Sequence, residues 1–438
     1  MRIRLGGMGV AGGFDFEAMR CLGLASMGGS GVGECLAAIG RIRRGDTESW
    51  TREFAALAQR LTHEADASFA AGDPLSAAQQ LRRASTYGRL AAFYLPPDDP
   101  RSAAIRQRSR KAFHRAFDCV PSPTEVVRIP YAGVTLPGYF VSGGEGPNPT
   151  LLVLGGFDST AEELFLWLGE PCAARGWNAL VFEGPGQPAV VDEHPELVFR
   201  PDYEVPVRAA VDVALGRQDV DPSRLAIIGY SFGGYLAPRA AARDHRIRAV
   251  VANTLGVDIA GAMRMAIPSF FWRLPAPVLN ALFEAFTHFD VTARFFFANA
   301  QRAFGLSTPA QFLEAWRPYN LWGVRGELEA PLLVLITEDE IAGAPSAVLS
   351  ATLDFLRGLR APVSFRLFSQ AEGGSAHCQL DSPERVPPVL FSWLDGIFGG
   401  AHSPSQLDLD SIARITELIE KHHGRRAGAA ARDFQMQR

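Results

Sequence analysis

The segment LAIIGYSFGGYLAPRAA, at 225–241, places Ser231 between glycines in the pattern G-x-S-x-G. An apolar, β-branched run precedes the serine and a helix-forming run follows it, which predicts a buried strand, a sharp turn and a helix. Glycines suit such a turn because it brings the strand and helix backbones too close for larger side chains. We therefore predict that Ser231 is a nucleophile presented at the sheet edge; the alternative is a serine that caps a glycine-rich turn.

A serine hydroxyl is a poor nucleophile until a base takes its proton, so this hypothesis requires a histidine farther along the chain. His377, in the segment AEGGSAHCQ, follows the last predicted strand, and the loop glycines before it can carry it back over the sheet. The order along the chain is then serine, acid, histidine. His194 and His245 lie in polar stretches that indicate surface positions, and His288 lies in an aromatic segment where it could line a pocket.

Three consecutive carboxylates, Glu338, Asp339 and Glu340, follow the apolar run PLLVLIT. An acid at this point would orient the imidazole and stabilise it when it is protonated. The common spacing, a glycine and then the acid three residues later, favours Glu340, with Thr337 in the glycine position. Asp339 is the shorter and more usual residue type. The sequence therefore leaves both as candidates, with a slight preference for Glu340; the other is expected in a solvated loop.

The segment LGGFDST, at 154–160, follows the first long apolar run and contains two glycines that permit close approach of the backbone. An anionic intermediate needs hydrogen-bond donors that are already in place, and we predict the backbone N–H groups of Phe157 and Phe232 as these donors. Losing one such donor costs about 3 kcal/mol in other hydrolases. The alternative is a tight exit from the strand without a chemical role.

After residue 122, short apolar runs alternate with helical segments, except between Thr254 and Pro331, and such alternation is typical of βαβ units. Fully apolar strands that end in glycine or a polar group indicate a parallel sheet with helices on both faces and ligand chemistry at the carboxyl ends of the strands. The predicted strands are 150–156, 178–186, 224–231, 247–254, 331–337 and 363–369, and an alternating segment that turns like a β-hairpin precedes them. The predicted fold class is therefore α/β, with a mostly parallel sheet.

The helical and alternating patterns divide the chain into three parts. Residues 1–122 carry apolar positions at helical spacing and no second copy at a fixed period, which predicts one all-helical domain. Residues 123–400 form the α/β domain, interrupted at 257–328 by an aromatic-rich helical cap. A C-terminal helix and a disordered tail are expected in 401–438.

The aromatic cap could supply a flat pocket above the sheet, because aromatic side chains line many small-molecule sites. Four residues are candidates for contact with a ligand: Tyr230, His288, Trp316 and Tyr319. For each of the three aromatic candidates, packing in the core is the alternative.

Composition narrows the possible partners. The chain has 438 residues and a formal net charge of −4, which gives no field to attract nucleic acid or an anionic membrane, and we expect a small-molecule substrate. The five cysteines form no C-x-x-C pair, so neither a disulfide framework nor a zinc site is expected, and no metal or organic cofactor is predicted. Without a signal peptide or a long apolar span, the expected location is the cytoplasm. The apolar surface of the N-terminal helices favours packing on the α/β domain and a homodimer.

The G-x-S-x-G pattern at Ser231, the late His377 and the loop at 154–160 make the chain resemble the α/β-hydrolase superfamily. Within it, the chain resembles a group that includes 2,6-dihydroxypseudooxynicotine hydrolase and fungal hydrolases that shorten naphthopyrone and other polyketide chains. GGFDSTAEE, at 155–163, is similar to GGLDSTKEE of that group, with Phe157 in place of the usual Leu. The hairpin IPYAGVTLPGYF, the loop FSQAEGGSAHCQ and the helical segments GDTESW and RASTYGRLAAFYL extend the resemblance over most of 30–400.

The resemblance implies hydrolysis of a bond next to a ketone by Ser231, with His377 and an acid at Asp339 or Glu340. An acyl-serine intermediate and no cofactor would be involved. A carboxylesterase, a thioesterase or an acyl transferase acting on a similar substrate is the first alternative. A catalytically inactive scaffold that binds a partner protein is the second.

Overall fold

The computed structural model describes residues 13–96, 98–266, 270–400 and 409–424. Its N-terminal part is helical, as predicted, and Asp46 and Asp73 cap two of the helices by accepting hydrogen bonds from the Ser49 and Ser76 amides, at 3.1 and 3.0 Å. The expectations for the first 12 residues and for the tail beyond 424 lie outside the described residues. The helices are α1 (Gly13–Gly23), α2 (Val32–Ile39), α3 (Thr47–Ala70), α4 (Pro74–Phe93) and α5 (Pro100–Cys119).

An aromatic core holds these helices together. Trp50 and Phe54 of α3 and Tyr87 of α4 are buried, and the Trp50 indole N–H donates a 2.7 Å hydrogen bond to the Leu90 carbonyl oxygen. Helix α1 also reaches the α/β part of the chain, where the Arg20 guanidinium forms a bidentate ion pair with the carboxylate of Glu163. The N-terminal helices therefore pack on the α/β part, as expected from their apolar surface.

A single sheet of eight strands forms the centre of the rest of the molecule. Its strand order is β1-β2-β4-β3-β5-β6-β7-β8; the hairpin β1–β2 is antiparallel and joins β4 in antiparallel fashion, and all other pairs are parallel. Each of the six predicted runs coincides with a strand, and the α/β fold class is confirmed. The strands are β1 (Thr124–Tyr131), β2 (Val134–Val141), β3 (Asn148–Leu154), β4 (Asn178–Phe182), β5 (Val220–Tyr230), β6 (Ala249–Asn253), β7 (Leu332–Thr337) and β8 (Val363–Phe368).

Helices cover both faces of this sheet, and the five residues of β4 and of β6 are all buried. This burial explains why these strands are continuously apolar in sequence. After β1 and outside the β6–β7 connection, the described helices are α6 (Ala161–Leu164), a π-helical turn Phe165–Gly169, α7 (Glu170–Ala173), α8 (Pro188–Glu193), α9 (Glu204–Leu215), α10 (Gly233–Arg243), α15 (Glu338–Gly343), α16 (Ser346–Arg357), α17 (Val386–Gly399) and α18 (Leu409–His423).

The connection between β6 and β7 is the helical insert expected from its aromatic sequence. Its helices are α11 (Ile259–Ala266), α12 (Ala276–Phe289), α13 (Val291–Phe304) and α14 (Pro309–Ala315). Phe295 of α13 stacks on Phe93 of α4, with ring centroids 4.1 Å apart, so the insert also contacts the N-terminal helices.

Among the helices of the described ranges, none combines the length and hydropathy that crossing a bilayer requires. Helix α18 reaches His423, whose ring nitrogen Nε2 lies 2.8 Å from the Ile341 carbonyl oxygen of α15. Helix α18 therefore lies within 401–438, the segment in which a C-terminal helix is expected.

Candidate active site

Ser231 occupies the turn between β5 and α10, at the carboxyl edge of the sheet. Its φ of +56° lies in the left-handed region, which a non-glycine residue adopts only when its surroundings impose it. A Cβ atom added at Gly229 would lie 1.9 Å from the Gly233 carbonyl oxygen, so the close approach of strand and helix requires glycine. The strand–turn–helix arrangement predicted around Ser231 is present.

His377 follows β8 and lies directly against this turn. Its Nε2 atom is 2.9 Å from Ser231 Oγ, and its Nδ1 atom is 2.5 Å from Glu340 Oε1. The next two residues, Cys378 and Gln379, have φ of +57° and +54°, so the loop carrying the imidazole is itself tightly constrained. The three side chains form one continuous hydrogen-bonded chain.

Glu340 is held by the first turn of α15. Thr337 and Glu340 form a capping box, in which the Thr337 amide donates to Glu340 Oε2 at 2.9 Å and the Glu340 amide donates to the Thr337 hydroxyl at 3.2 Å. The Thr254 hydroxyl donates to Glu340 Oε1. The carboxylate therefore faces His377 while each of its two oxygens also accepts a hydrogen bond from a threonine.

Asp339 points elsewhere. Its two carboxylate oxygens accept hydrogen bonds from the Gln370 side-chain amide at 3.0 Å and from the Ser375 hydroxyl at 3.2 Å. Both donors belong to the loop that carries His377. Of the two candidate acids, the structure brings Glu340 and not Asp339 to the imidazole, because consecutive residues of a helix face different directions.

The surroundings of Glu340 and His377 shift the pKa values of the two side chains in opposite directions. Burial raises the pKa of Glu340, but the His377 contact and the hydrogen bonds from Thr254 and Thr337 outweigh it, so the pKa is lowered overall. Burial lowers the pKa of His377, but the neighbouring Cys378 and the Glu340 carboxylate outweigh it, so the pKa is raised well above its ordinary value. The arrangement therefore favours an anionic Glu340 and stabilises a proton on His377.

Asn253, at the end of β6, connects the two loops, and the sequence analysis missed it. Its carbonyl oxygen accepts hydrogen bonds from the Ser231 amide at 2.5 Å and from Cys378 Sγ at 3.2 Å. Its side-chain amide donates to Gln379 Oε1 at 2.7 Å. One residue thus contacts both the serine turn and the histidine loop. The sequence signal that could have indicated Asn253 is a polar residue, followed by the polar Thr254, at the carboxyl end of an apolar strand.

The loop after β3 lies against the serine turn. A Cβ atom added at Gly156 would be 2.9 Å from both the Phe232 amide nitrogen and Ser231 Cβ. Neither the Phe157 nor the Phe232 amide donates a hydrogen bond to any group in the described part of the chain. The structure therefore brings the two predicted donor residues to the serine with their N–H groups unused.

Gln187, at the start of α8, fixes this loop and was also missed from the sequence. Its side chain is fully buried, its Nε2 donates to the Gly156 carbonyl oxygen at 3.2 Å, and its Oε1 accepts from the Gly184 amide at 2.7 Å. In a trans peptide the carbonyl and the following N–H point in opposite directions. Gln187 therefore sets the direction of the Phe157 N–H.

Two of the four proposed pocket residues lie beside the predicted donors. Trp316 and Tyr319 are buried, and their rings are 4.9 and 5.4 Å from the ring of Phe232. Tyr230 packs instead against Trp167, at 5.0 Å, in the core on the opposite face of the sheet. Its expected contact with the pocket is wrong because successive side chains of a strand alternate between faces. The side chain of His288 lies outside the described part of the structure.

Potential metal ligands also occur here. Within the described ranges, one carboxylate oxygen of Glu340, a ring nitrogen of His377 and Cys378 Sγ lie within 4.8 Å of one another. His377 is already hydrogen-bonded to Glu340 through Nδ1 and to Ser231 through Nε2. The cluster is therefore part of the serine-centred arrangement, which can activate a hydroxyl group by proton transfer.

The chain is similar to known hydrolases and esterases. The model of the FrsA-like family, described as esterase FrsA-like, matches residues 37–266. Hydrolase LUC6 of Fusarium sp. is 31% identical over 88% of this chain and 96% of its own length. The 20-hydroxy-prefusarin hydrolase FUS2 of Gibberella moniliformis is 32% identical, with the same coverage of both chains.

Solved structures show the same fold. The crystal structure of 2,6-dihydroxy-pseudo-oxynicotine hydrolase matches with a TM-score of 0.66 at 21% identity, covering 86% of this chain and 95% of that one. Wild-type AbyA5 matches with a TM-score of 0.58 at 21% identity, covering 92% and 96%. These likenesses extend through the N-terminal helices as well as the sheet.

Proposed function

The chain belongs to the FrsA-like family of esterases, and we propose that this α/β hydrolase cleaves a carbon–carbon bond next to a ketone in an aromatic or polyketide-like small molecule. The observation that supports a serine mechanism is the continuous hydrogen-bonded chain from Ser231 through His377 to Glu340. The sequence relatives support hydrolysis, since several of them are named hydrolases.

In the first step, Ser231 Oγ adds to the ketone carbon and its proton passes to Nε2 of His377. The carbonyl electron pair moves onto the ketone oxygen, which accepts hydrogen bonds from the Phe157 and Phe232 amides. Glu340 stabilises the imidazolium that forms and fixes the tautomer in which Nδ1 carries a proton. Donors already in place for the oxyanion lower the barrier because they do not have to reorganise.

In the second step, the oxyanion reforms its carbonyl and the bond to the neighbouring carbon breaks. The electron pair remains on the departing carbon, where a second carbonyl or an aromatic ring delocalises it, and His377 returns the proton to that carbon. Water then adds to the acyl-serine and gives its proton to His377, and a carboxylic acid leaves as Ser231 recovers its own proton.

The surroundings of the two donor residues suit a flat substrate. The Phe157 ring lies 5.3 Å from Phe296 of the insert and 6.2 Å from Phe304. Aromatic walls of this kind bind rings through stacking and edge contacts. This supports an aromatic or conjugated substrate over a small aliphatic one.

Ester hydrolysis is the second candidate, and the esterase description of the family favours it. The same residues would act, but the leaving group would be an alkoxide and no carbanion would need stabilisation. Incubation with 1-phenylbutane-1,3-dione and with 4-nitrophenyl butyrate separates the two functions. Cleavage of the diketone, lost in Ser231→Ala, is the expected result; cleavage of the ester alone would assign the esterase function.

A fluorophosphonate probe tests whether the chain is an active hydrolase at all. We expect covalent labelling of the wild-type protein and none of Ser231→Ala. Absence of labelling in both proteins, together with a normal melting temperature, would instead favour an inactive scaffold.

A further inference from the structure

A cavity lies where three parts of the molecule meet: helices α4 and α5, helix α13 of the insert, and the loop after β3. It is partly open to solvent and has a volume of about 130 Å³, well above the roughly 10–15 Å³ that a single water needs. Part of its wall is apolar, with the stacked rings of Phe93 and Phe295. The cavity is large enough for a small organic molecule.

The polar part of the wall is rich in arginine. Arg106, Arg294 and Arg302 all line the cavity. Asp192, whose side chain is only 5% exposed, accepts ion pairs from Arg106 at 2.7 Å, from Arg110 at 3.4 Å and from Arg302. Arg110 has a second partner in Glu193, at 4.0 Å. Arg106 and Arg302 therefore share one carboxylate, which leaves positive charge in a largely buried place.

Arg294 contributes a further positive charge at a more exposed part of the wall. Its Nε donates to the Thr287 carbonyl oxygen at 3.1 Å, and it forms no ion pair with any residue of the described part of the chain. Two other charged residues of the wall have ionic partners: Arg89 lies 3.5 Å from both Glu17 and Glu163, which also pair with Arg20, and Asp158 accepts from Arg20 at 3.2 Å. Burial and the neighbouring Arg106 and Arg110 lower the pKa of Arg302 despite Asp192, as expected where guanidinium groups crowd one another.

The cavity also contacts the loop that carries one predicted oxyanion donor. Asn299 lines it and donates from Nδ2 to the Phe157 carbonyl oxygen at 3.3 Å. Asp158, the next residue of the loop, is part of the same wall. A molecule in this cavity would therefore contact Asn299, which is hydrogen-bonded to the Phe157 carbonyl oxygen, and Asp158, which follows Phe157 in the chain.

We propose that this cavity binds a carboxylate-bearing small molecule with an apolar or aromatic body. The carboxylate would pair with Arg302 and Arg294, and the body would lie against Phe93 and Phe295. Guanidinium groups pair with carboxylates through two parallel hydrogen bonds, and such pairs are stronger where water is partly excluded. The carboxylate is either that of the substrate itself or that of a separate acidic molecule.

Isothermal titration calorimetry with 3-phenylpropanoate and its neutral amide, 3-phenylpropanamide, tests this site. We expect the wild-type protein to bind the acid at least about tenfold more tightly than the amide, as a charge-assisted pair requires. Arg294→Gln and Arg302→Gln should each weaken binding of the acid about three- to tenfold and leave binding of the amide unchanged. Ala298→Phe, which fills the cavity, should abolish binding of both.

Arg273→Gln is the matched control, because Arg273 is also an exposed arginine of the insert but does not line the cavity. Equal affinity for acid and amide, or a preference for the acid that survives in the Arg294→Gln and Arg302→Gln double variant, would overturn the proposal. Arg294→Gln keeps the test decisive if Arg302→Gln disturbs folding. Binding needs no turnover, so the result does not depend on which bond Ser231 cleaves.

Inhibition of ester hydrolysis distinguishes the two sources of the carboxylate. Competitive inhibition by 3-phenylpropanoate, lost in Arg294→Gln, would indicate a subsite for the substrate's own carboxylate. Non-competitive inhibition or activation, lost in the same variant, would indicate a separate acidic molecule.

Discussion

The Gln187 side-chain amide donates to the Gly156 carbonyl oxygen at 3.2 Å, on the opposite side of the peptide group whose N–H belongs to Phe157. Gln187 is thereby anchored on one side to the Gly184 amide and on the other to the loop after β3. In the mechanism proposed above, Gln187 does not touch the reacting atoms. Its role is to orient the Phe157 N–H group toward the oxyanion.

Replacing Gln187 by Leu should therefore lower kcat about 10- to 100-fold with little change in KM. Complete loss of one oxyanion donor costs about 10²–10³-fold in kcat, and a misdirected donor should cost less. Tyr203→Phe is the control, since the Tyr203 hydroxyl contacts the same Gln187 oxygen at 3.4 Å but not the loop. A rise in KM at constant kcat would contradict a positioning role and indicate a contact with the substrate.

Glu340→Gln should lower kcat by about 10³–10⁴-fold, because an amide facing Nδ1 favours the wrong imidazole tautomer. Asp339→Asn should change kcat only a few-fold, because Asp339 contacts Gln370 and Ser375 rather than His377. Steady-state kinetics of the two variants on one substrate provide the comparison. The reverse order of effects would assign the acid role to Asp339.

The rate should fall at acidic pH with a midpoint above 6.5, because a base must be neutral to take the Ser231 proton and the pKa of His377 is raised. Below the pKa of His377 the imidazole is protonated and cannot accept the Ser231 proton, so the rate falls. Above that pKa the imidazole is neutral and the rate reaches a plateau. Removing the Glu340 charge removes one cause of the raised pKa. The residual activity of Glu340→Gln should therefore have its acidic limb at lower pH, measured as kcat/KM against pH.

Much of the fold was predictable because the strands of this sheet are buried on both faces and stand out as apolar runs. The pattern around Ser231 and the glycine-rich loop before His377 also carry local signals. The choice between Asp339 and Glu340 was not decided, because it depends on the direction in which the first turn of α15 points each side chain. That direction is set by the capping box with Thr337.

Other features depend on contacts between distant segments, and no local pattern reports them. Asn253 meets Gln379, 126 positions away, and Gln187 meets Gly156 across the sheet edge. Tyr230 is different, because side chains alternate along a strand and Tyr230 therefore shares the face of Ile228, two positions before it, in the core away from Phe232. The catalytic roles of Ser231, His377 and Glu340 stay predictions, which the Ser231→Ala and Glu340→Gln variants and the pH dependence test.

Gly229→Ala should destabilise the protein by more than about 3 kcal/mol or prevent folding, because its Cβ would lie 1.9 Å from a backbone oxygen that cannot move independently. Gly326→Ala is the matched control, since a Cβ there meets nothing within 4 Å. Thermal unfolding followed by circular dichroism gives the comparison. Equal melting temperatures for the two variants would show that the turn can relax.

The two attachments at Asn253 have a mechanical consequence. The serine turn and the histidine loop are each hydrogen-bonded to Asn253 at the end of β6, in addition to being connected to their own strands. A displacement of the end of β6 would therefore move the Ser231 hydroxyl and the His377 imidazole together, so that the gap between them changes less than the position of either group.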